Sequence, residues 1–142
     1  MRFSQIAWTA GTVTFLWASA AFAGAPSWHP VPGAPDVAVE LGSMQLERTR
    51  VVVWVRWWGR HALVPELALR GARAPRVQRT ALLTEFDCSQ RTMRVLAVNA
   101  YDGSGTPTFM SSTPGPLGPV QGEEMEWTYD AVCEVARTER RM

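Results

Sequence analysis

The fold of this chain is decided by the stretch Val51-Val52-Val53-Trp54-Val55-Arg56-Trp57-Trp58, which ends at Gly59. β-Branched and aromatic residues dominate it, as is typical of a strand. Because successive side chains alternate between the faces of a strand, one face receives Val51, Val53, Val55 and Trp57. The other face receives Val52, Trp54, Arg56 and Trp58. Both sets are largely apolar, so the pattern predicts a central strand covered on both sides, wholly or in part.

Shorter strand patterns surround this central stretch. Alternation over Val37 to Leu41 predicts a half-buried strand that Gly42-Ser43 breaks. Residues 78–88 predict a strand whose shared face carries Thr80, Leu82, Thr84, Phe86 and Cys88. Residues 91–101 predict its return, with Met93, Val95 and Ala97 on one face and Leu96 and Val98 on the other. Asp102-Gly103 is a hairpin signal, and Pro107 confines the strand after it to an edge.

The last element has a helical period. Met125, Tyr129, Val132 and Ala136 form one apolar stripe, which Cys133 flanks. Acidic residues at its start and arginines at its end suit the helix dipole. Strands followed by one helix predict an α+β fold: an antiparallel β-sheet of about five strands with the C-terminal helix packed on one face.

The N-terminus predicts export. Arg2 precedes an apolar run that ends in Ala21-Phe22-Ala23, the small-x-small pattern of a signal peptidase site, so residues 1–23 are expected to be a cleavable signal peptide. The alternative is an uncleaved membrane anchor. Residues 24–36, rich in Pro and Gly, are predicted to be a linker, residues 37–137 a single domain, and residues 138–142 a charged tail. No Cys near Ala23 could accept a lipid, so the expected location is the periplasm or the extracellular space, with no transmembrane segment after cleavage.

Export also bears on Cys88 and Cys133, the two cysteines of the chain. In an oxidising compartment paired cysteines usually join, so a Cys88–Cys133 disulfide is expected. It would close a loop of about 46 residues and restrict the unfolded chain by roughly 4 kcal/mol. Two buried free thiols are the alternative.

Charge and motifs give little sign of catalysis. The formal net charge of +1 becomes zero when Arg2 is cleaved, which does not favour nucleic acid as a partner. His29 and His61 each stand alone, so no metal site or cofactor is predicted. Neither histidine lies near a Gly-x-Ser-x-Gly turn, and no catalytic residue is assigned.

Two features are candidates for a binding surface. Arg60 to Arg79 is rich in arginine and includes Arg70, Arg73 and Arg76; it is either a patch for anionic groups or a solvated loop. Trp57 and Trp58 end the central strand and point to opposite faces, so either one could reach the surface as a binding anchor. The competing interpretation is a core cluster over which the loop from Arg60 to Pro75 folds, with its apolar residues Leu63, Val64, Leu67 and Leu69 as a lid.

The order of these pieces resembles the surface-adhesin protein E family of Gram-negative bacteria. The matching features are Trp28 before a short strand, Val37 to Leu41, a turn at Ser43, the Val51 to Trp54 strand, Phe86-Asp87-Cys88, Arg91 to Arg94, Tyr101 with Gly103, and a last helix with Cys133. The match spans Trp28 to Cys133. The resemblance implies an antiparallel sheet with a C-terminal helix tied on by a disulfide, in an envelope or surface protein that binds host extracellular proteins.

We therefore expect a non-enzymatic, exported binding or adhesion module. Its partner would be another protein or a second copy of the chain. The alternative is a periplasmic protein that binds a small apolar or haem-like ligand on its Trp-bearing surface.

Overall fold

The structure, a computed structural model, describes residues 27–59 and 77–140. The elements are β1 (Trp28–Val31), β2 (Ala34–Glu47), β3 (Arg50–Trp58), β4 (Arg79–Asp87), β5 (Thr92–Tyr101), β6 (Pro107–Ser111), β7 (Gly118–Pro119) and α1 (Glu123–Arg140). The strands form one antiparallel sheet in the order β1-β2-β3-β4-β5-β6, and β7 pairs with β5. The predicted class, an antiparallel sheet with one C-terminal helix, is confirmed, but the sheet has seven strands rather than about five.

One extra strand lies in the predicted linker. Trp28–Val31 pairs with β2, and β2 itself begins at Ala34, so the boundary predicted at residue 36 is wrong. The prolines that suggested a linker are compatible with β1 because it is an edge strand, whose outward N–H groups need no partner. The other addition, β7, is only two residues long and follows a Pro/Gly loop.

The central strand β3 has one fully buried face. Val51, Val53 and Val55 are 0% exposed, and Trp57 is 5% exposed. We call this face of the sheet, which packs against α1, the inner face, and the opposite one the outer face. The alternation read from the sequence of β3 is confirmed, as is the buried face of β4 with Thr80, Leu82, Thr84 and Phe86.

Helix α1 closes the inner face through the predicted stripe. Met125, Tyr129, Val132 and Ala136 are all buried. The predicted disulfide is present between Cys88 and Cys133 and ties the helix to the end of β4. Beside it, the Tyr129 hydroxyl donates a hydrogen bond to the Cys88 carbonyl oxygen at 3.0 Å, and its ring meets Phe86 edge-on.

Strand β5 departs from the predicted alternation. Leu83 pairs with Ala97 and Thr84 with Val95, so Leu96 is an extra residue, a β-bulge. Beyond a bulge the faces exchange. Val98 therefore lies on the inner face with Met93 and Val95, and Ala97 lies on the outer face, the reverse of the prediction.

Strand β2 contains a larger bulge where the sequence predicted its end. Pairing with β3 stops at Glu40 and resumes at Gln45. The Glu40 carboxylate fills the bulge: it accepts hydrogen bonds from the backbone N–H groups of Ser27, Gly42 and Ser43, each at 2.9 Å, and from the Ser43 hydroxyl. Gly42 permits this approach, because a Cβ there would lie 2.8 Å from Glu40 Oε1. The bulge thus holds the start of β1 against β2.

Several sequence predictions fall outside the described residues. They are the signal peptide over residues 1–23, the arginines Arg70, Arg73 and Arg76, and the lid that would use Leu63, Val64, Leu67 and Leu69.

Candidate binding surface

The outer face of the sheet is the candidate functional site. Within residues 27–59 and 77–140, the one helix packs on the inner face, and no strand or helix covers the outer one. The middle of the outer face is apolar, since Trp54 pairs with Leu83 and Leu83 with Ala97 across three strands. All three side chains keep partial exposure to solvent. Large exposed apolar patches generally mark interaction sites, so this apolar centre makes the outer face the candidate site.

One end of the outer face is a row of alternating aromatic and arginine side chains. We call it the aromatic–arginine ladder, and its members are Trp28, Arg56, Trp58, Arg79 and Tyr101. The guanidinium carbon of Arg56 lies over the rings of both Trp28 and Trp58, 4.1 Å from each ring centroid. The guanidinium carbon of Arg79 lies over the Tyr101 ring at 4.4 Å. These distances are those of cation–π contacts.

The register of the strands places the side chains of the ladder next to one another. Trp58, Arg79 and Tyr101 are directly opposite one another on β3, β4 and β5. Arg56 is two residues before Trp58 and shares its face. Its neighbour on β2 is Ala38, in register with Pro30 of β1. A side chain as small as Ala38 leaves room for the Trp28 ring to reach Arg56 from the edge strand.

The other end of the outer face is ion-paired. Arg94 donates to the Glu85 carboxylate at 2.9 Å, and Arg50 lies 4.0 Å from Asp87. In the described residues, by contrast, neither Arg56 nor Arg79 forms an ion pair within 4.0 Å. Arg56 Nε is also buried without a hydrogen-bond partner. Among the described residues, the arginines at one end of the face therefore have ion-pair partners and those of the ladder do not.

The pKa values of one group in the ladder and one group beside it are shifted by their surroundings. Burial, together with the nearby charge of Arg79, lowers the pKa of the Arg56 guanidinium, although an arginine remains protonated throughout the physiological range. At the neighbouring bulge, burial of the Glu40 carboxyl opposes ionisation, but its hydrogen bonds to Ser43, Ser27 and Gly42 outweigh this and lower its pKa. Glu40 is therefore a carboxylate whose lone pairs are occupied by the bulge.

The structure separates the two tryptophans of the predicted surface. Trp57 lies on the inner face in the core, which corrects its assignment as a surface residue: Val37 and Thr80 are its partners in the adjacent strands. Trp58 is partly exposed and belongs to the ladder. The remaining predicted members, Arg70, Arg73 and Arg76, lie outside the described residues.

Four members of the ladder were missed by sequence reasoning. Arg56 could have been found, because period-two alternation places it beside Trp58. Arg79 and Tyr101 required the register of β3, β4 and β5, which no local pattern contains. Trp28 was assigned to the linker because prolines surround it.

Metal-binding and membrane-spanning features were also sought in the described part of the chain. It holds no group of three or more His, Cys, Asp or Glu side chains suited to a metal ion. No helix of residues 27–59 and 77–140 is long and apolar enough to cross a bilayer. A cavity of about 320 Å³ lies beside the disulfide and is lined partly by Arg137 and Arg140.

Comparison of the chain with protein-family models, with curated proteins and with solved structures finds no match. The function must therefore be argued from the geometry of the site.

Proposed function

We propose that this chain is an exported, non-enzymatic envelope protein that binds a protein partner through the outer face of its sheet. The observation that supports this most directly is the aromatic–arginine ladder, which joins an apolar surface to two arginines without ion pairs among the described residues. Tryptophan, tyrosine and arginine are the residue types most enriched at protein–protein hot spots. The partner is expected to be acidic where it meets the ladder, by charge complementarity.

The disulfide supports the exported location. Bonds of this kind persist in oxidising compartments and are rare in the cytosol, and Cys88–Cys133 is formed in the folded domain. The resemblance to surface-adhesin protein E also leads to an envelope protein, and in this proposal the ladder takes the role of the adhesive surface.

Site-specific photo-cross-linking in the exporting host tests the binding surface. A photoreactive phenylalanine analogue replaces Trp58 in one strain and Glu126 in another. Glu126 is a suitable control because it is exposed on α1, which packs on the inner face of the sheet. We expect a protein adduct from position 58 and none from position 126; an adduct of twice the mass of the chain would identify self-association.

Absence of an adduct at position 58, or equal adducts at both positions, would count against a protein-binding ladder. A haem titration of the purified chain examines the alternative function. Saturable binding of haem that Trp58→Ser abolishes, together with no protein adduct, would favour the small-ligand interpretation.

Location is tested separately on intact cells. The chain contains no Lys, so amine-directed labels would react only at the N-terminus. An antibody against a C-terminal epitope tag is therefore the better probe. Binding to intact cells indicates surface display, and binding only after the outer membrane is opened indicates the periplasm. Recovery of the tag with the cytosol would contradict the proposed export.

A further inference from the structure

The ladder contains two cations that contact aromatic rings and form no ion pair within 4.0 Å with another described residue. The guanidinium of Arg56 contacts two indole rings, and that of Arg79 contacts a phenol ring. A cation–π contact does not consume the N–H donors of a guanidinium. These donors form a planar fork that matches the two oxygens of a carboxylate.

The spacing of the two arginines favours one shared ligand. Arg79 is opposite Trp58, and Arg56 is two residues before Trp58 on the same face, so the two arginines are diagonal neighbours on adjacent strands. Diagonal Cβ atoms on a sheet are roughly 7–8 Å apart, within reach of long side chains. Like charges at this distance repel, and the influence of Arg79 on the ionisation of Arg56 is a sign of that repulsion. An anion placed between the two guanidinium groups would offset this repulsion.

The outer face itself provides a comparison. At its opposite end, Arg94 and Arg50 have carboxylate partners from the same chain, Glu85 and Asp87. Two carboxylates of β2 lie on the outer face near the ladder. Asp36 is next to Val37, the partner of Trp57, so it lies beside Trp58, and it has an interaction of its own. Glu40 is directed to the bulge by its own hydrogen bonds. Among the described residues, no ion pair within 4.0 Å joins Arg56 or Arg79 to a carboxylate.

We propose that Arg56 and Arg79 form an anion-binding subsite that recognises a carboxylate in an acidic peptide segment of the partner. This inference rests on the proposed function and specifies the chemistry of its site. The apolar middle of the outer face, with Trp54 and Leu83, would receive an apolar side chain next to the acidic one. A strongly anionic polymer or membrane is less suitable, because the formal net charge of the chain is only +1.

A binding measurement on the full chain tests the subsite. The probe is a fluorescent peptide of alternating Glu and Ala, and the same peptide with Gln in place of Glu is the uncharged control. Fluorescence anisotropy should show binding of the Glu peptide alone. Arg56→Gln and Arg79→Gln should each weaken it about tenfold, as expected for loss of a charge-assisted hydrogen bond.

Further variants separate recognition by the subsite from a general loss of positive charge and from a failure to fold. Arg94→Gln removes the same charge from the ion-paired end of the face and should leave the affinity unchanged. Arg56→Lys keeps the charge but loses the planar fork, so it should bind more weakly than wild type. If Arg56→Gln fails to fold, Arg79→Gln decides the question, because the Arg79 guanidinium contacts the ring of Tyr101 and not the two indole rings that Arg56 contacts.

Three results would overturn the inference. They are equal affinity for the Glu and Gln peptides, an equal loss of affinity in Arg94→Gln and Arg79→Gln, and arginine-dependent binding of a heparin oligosaccharide in preference to the Glu peptide.

The cross-linking experiment distinguishes failure of the subsite from failure of the proposed function. If the adduct at position 58 persists in a variant that combines Arg56→Gln and Arg79→Gln, the protein-binding surface stands and the anion subsite is wrong; if wild type gives no adduct, the surface itself is wrong.

Discussion

At the scale of single residues, Gly42 illustrates how a close approach constrains a position. An added Cβ would lie 2.8 Å from Glu40 Oε1, an oxygen already held by the N–H groups of Ser27 and Gly42. The carboxylate cannot withdraw without losing these bonds. Gly42→Ala should therefore lower the free energy of unfolding by about 1–3 kcal/mol in urea titrations. Gly118→Ala, which adds a methyl group where no atom lies within 4 Å, should change it by less than about 0.5 kcal/mol. Equal effects would show that the contact with Glu40 is unimportant.

Glu40 also predicts how stability depends on pH. Its pKa in the folded chain is lowered from the ordinary 4.5, because the hydrogen bonds of the bulge outweigh the opposing effect of burial. A carboxyl with a lowered pKa stabilises the fold above its unfolded pKa, and this contribution is lost as the pH falls through the folded value. Asp87 and Asp102 have pKa values lowered in the same direction by hydrogen bonds, chiefly from Ser89 and Ser104.

Unfolding titrations between about pH 7 and about pH 3 should show stability falling on acidification, with most of the loss below about pH 4.5. Glu40→Gln should flatten this dependence, whereas Glu126→Gln on the exposed side of α1 should not. Parallel curves for wild type and Glu40→Gln would contradict the role given to the bulge carboxylate.

At the scale of elements, the end of β3 presents two tryptophans with opposite roles. Trp57 is in the core, so Trp57→Ser should cost about 3–5 kcal/mol of unfolding free energy. Trp58→Ser removes a partly exposed ring that stacks on Arg56, and should cost only about 1 kcal/mol. Urea titration of the two variants side by side checks the difference. A larger loss in Trp58→Ser would mean that the outer face is covered in solution.

The attachment of α1 to β4 depends on its disulfide. Cys88 and Cys133 are 45 positions apart, and closing such a loop stabilises the fold by roughly 4 kcal/mol in the entropy model. Replacing both by Ser should lower the melting temperature by well over 10 °C, since each ~1 kcal/mol corresponds to roughly 4–8 °C in a domain of this size. Reduction of wild type should give the same shift. Two reactive thiols in the unfolded, unreduced protein would refute the bond.

At the scale of the whole molecule, the expected cleavage of the signal peptide fixes where the mature protein begins. Cleavage after Ala21-Phe22-Ala23 would leave Gly24 at the N-terminus, four residues before Trp28. Intact mass spectrometry of protein from the exporting host should therefore show a chain that begins at Gly24. A mass that still includes residues 1–23 would remove the basis for a periplasmic or extracellular location.

The sequence alone determined the features that depend on local period. Alternation over Val51 to Trp58 and the stripe from Met125 to Ala136 each predicted a buried face that the structure contains, because the geometry of a strand or helix is set by neighbouring residues. The pairing of Cys88 with Cys133 followed from there being two cysteines.

Tertiary structure decided what depends on the alignment of strands. The bulges at Glu40 and Leu96 shift the strand register, and the one at Leu96 exchanges the two faces of β5. No sequence pattern in β2 or β5 predicts them. Distant segments must likewise come together before Trp28 can pair at the edge of the sheet. The same holds for the cross-strand pairing of Trp58, Arg79 and Tyr101. Side chains from four strands form the aromatic–arginine ladder, and their adjacency is a property of the assembled sheet because hydrogen bonds between strands, not sequence neighbours, set it.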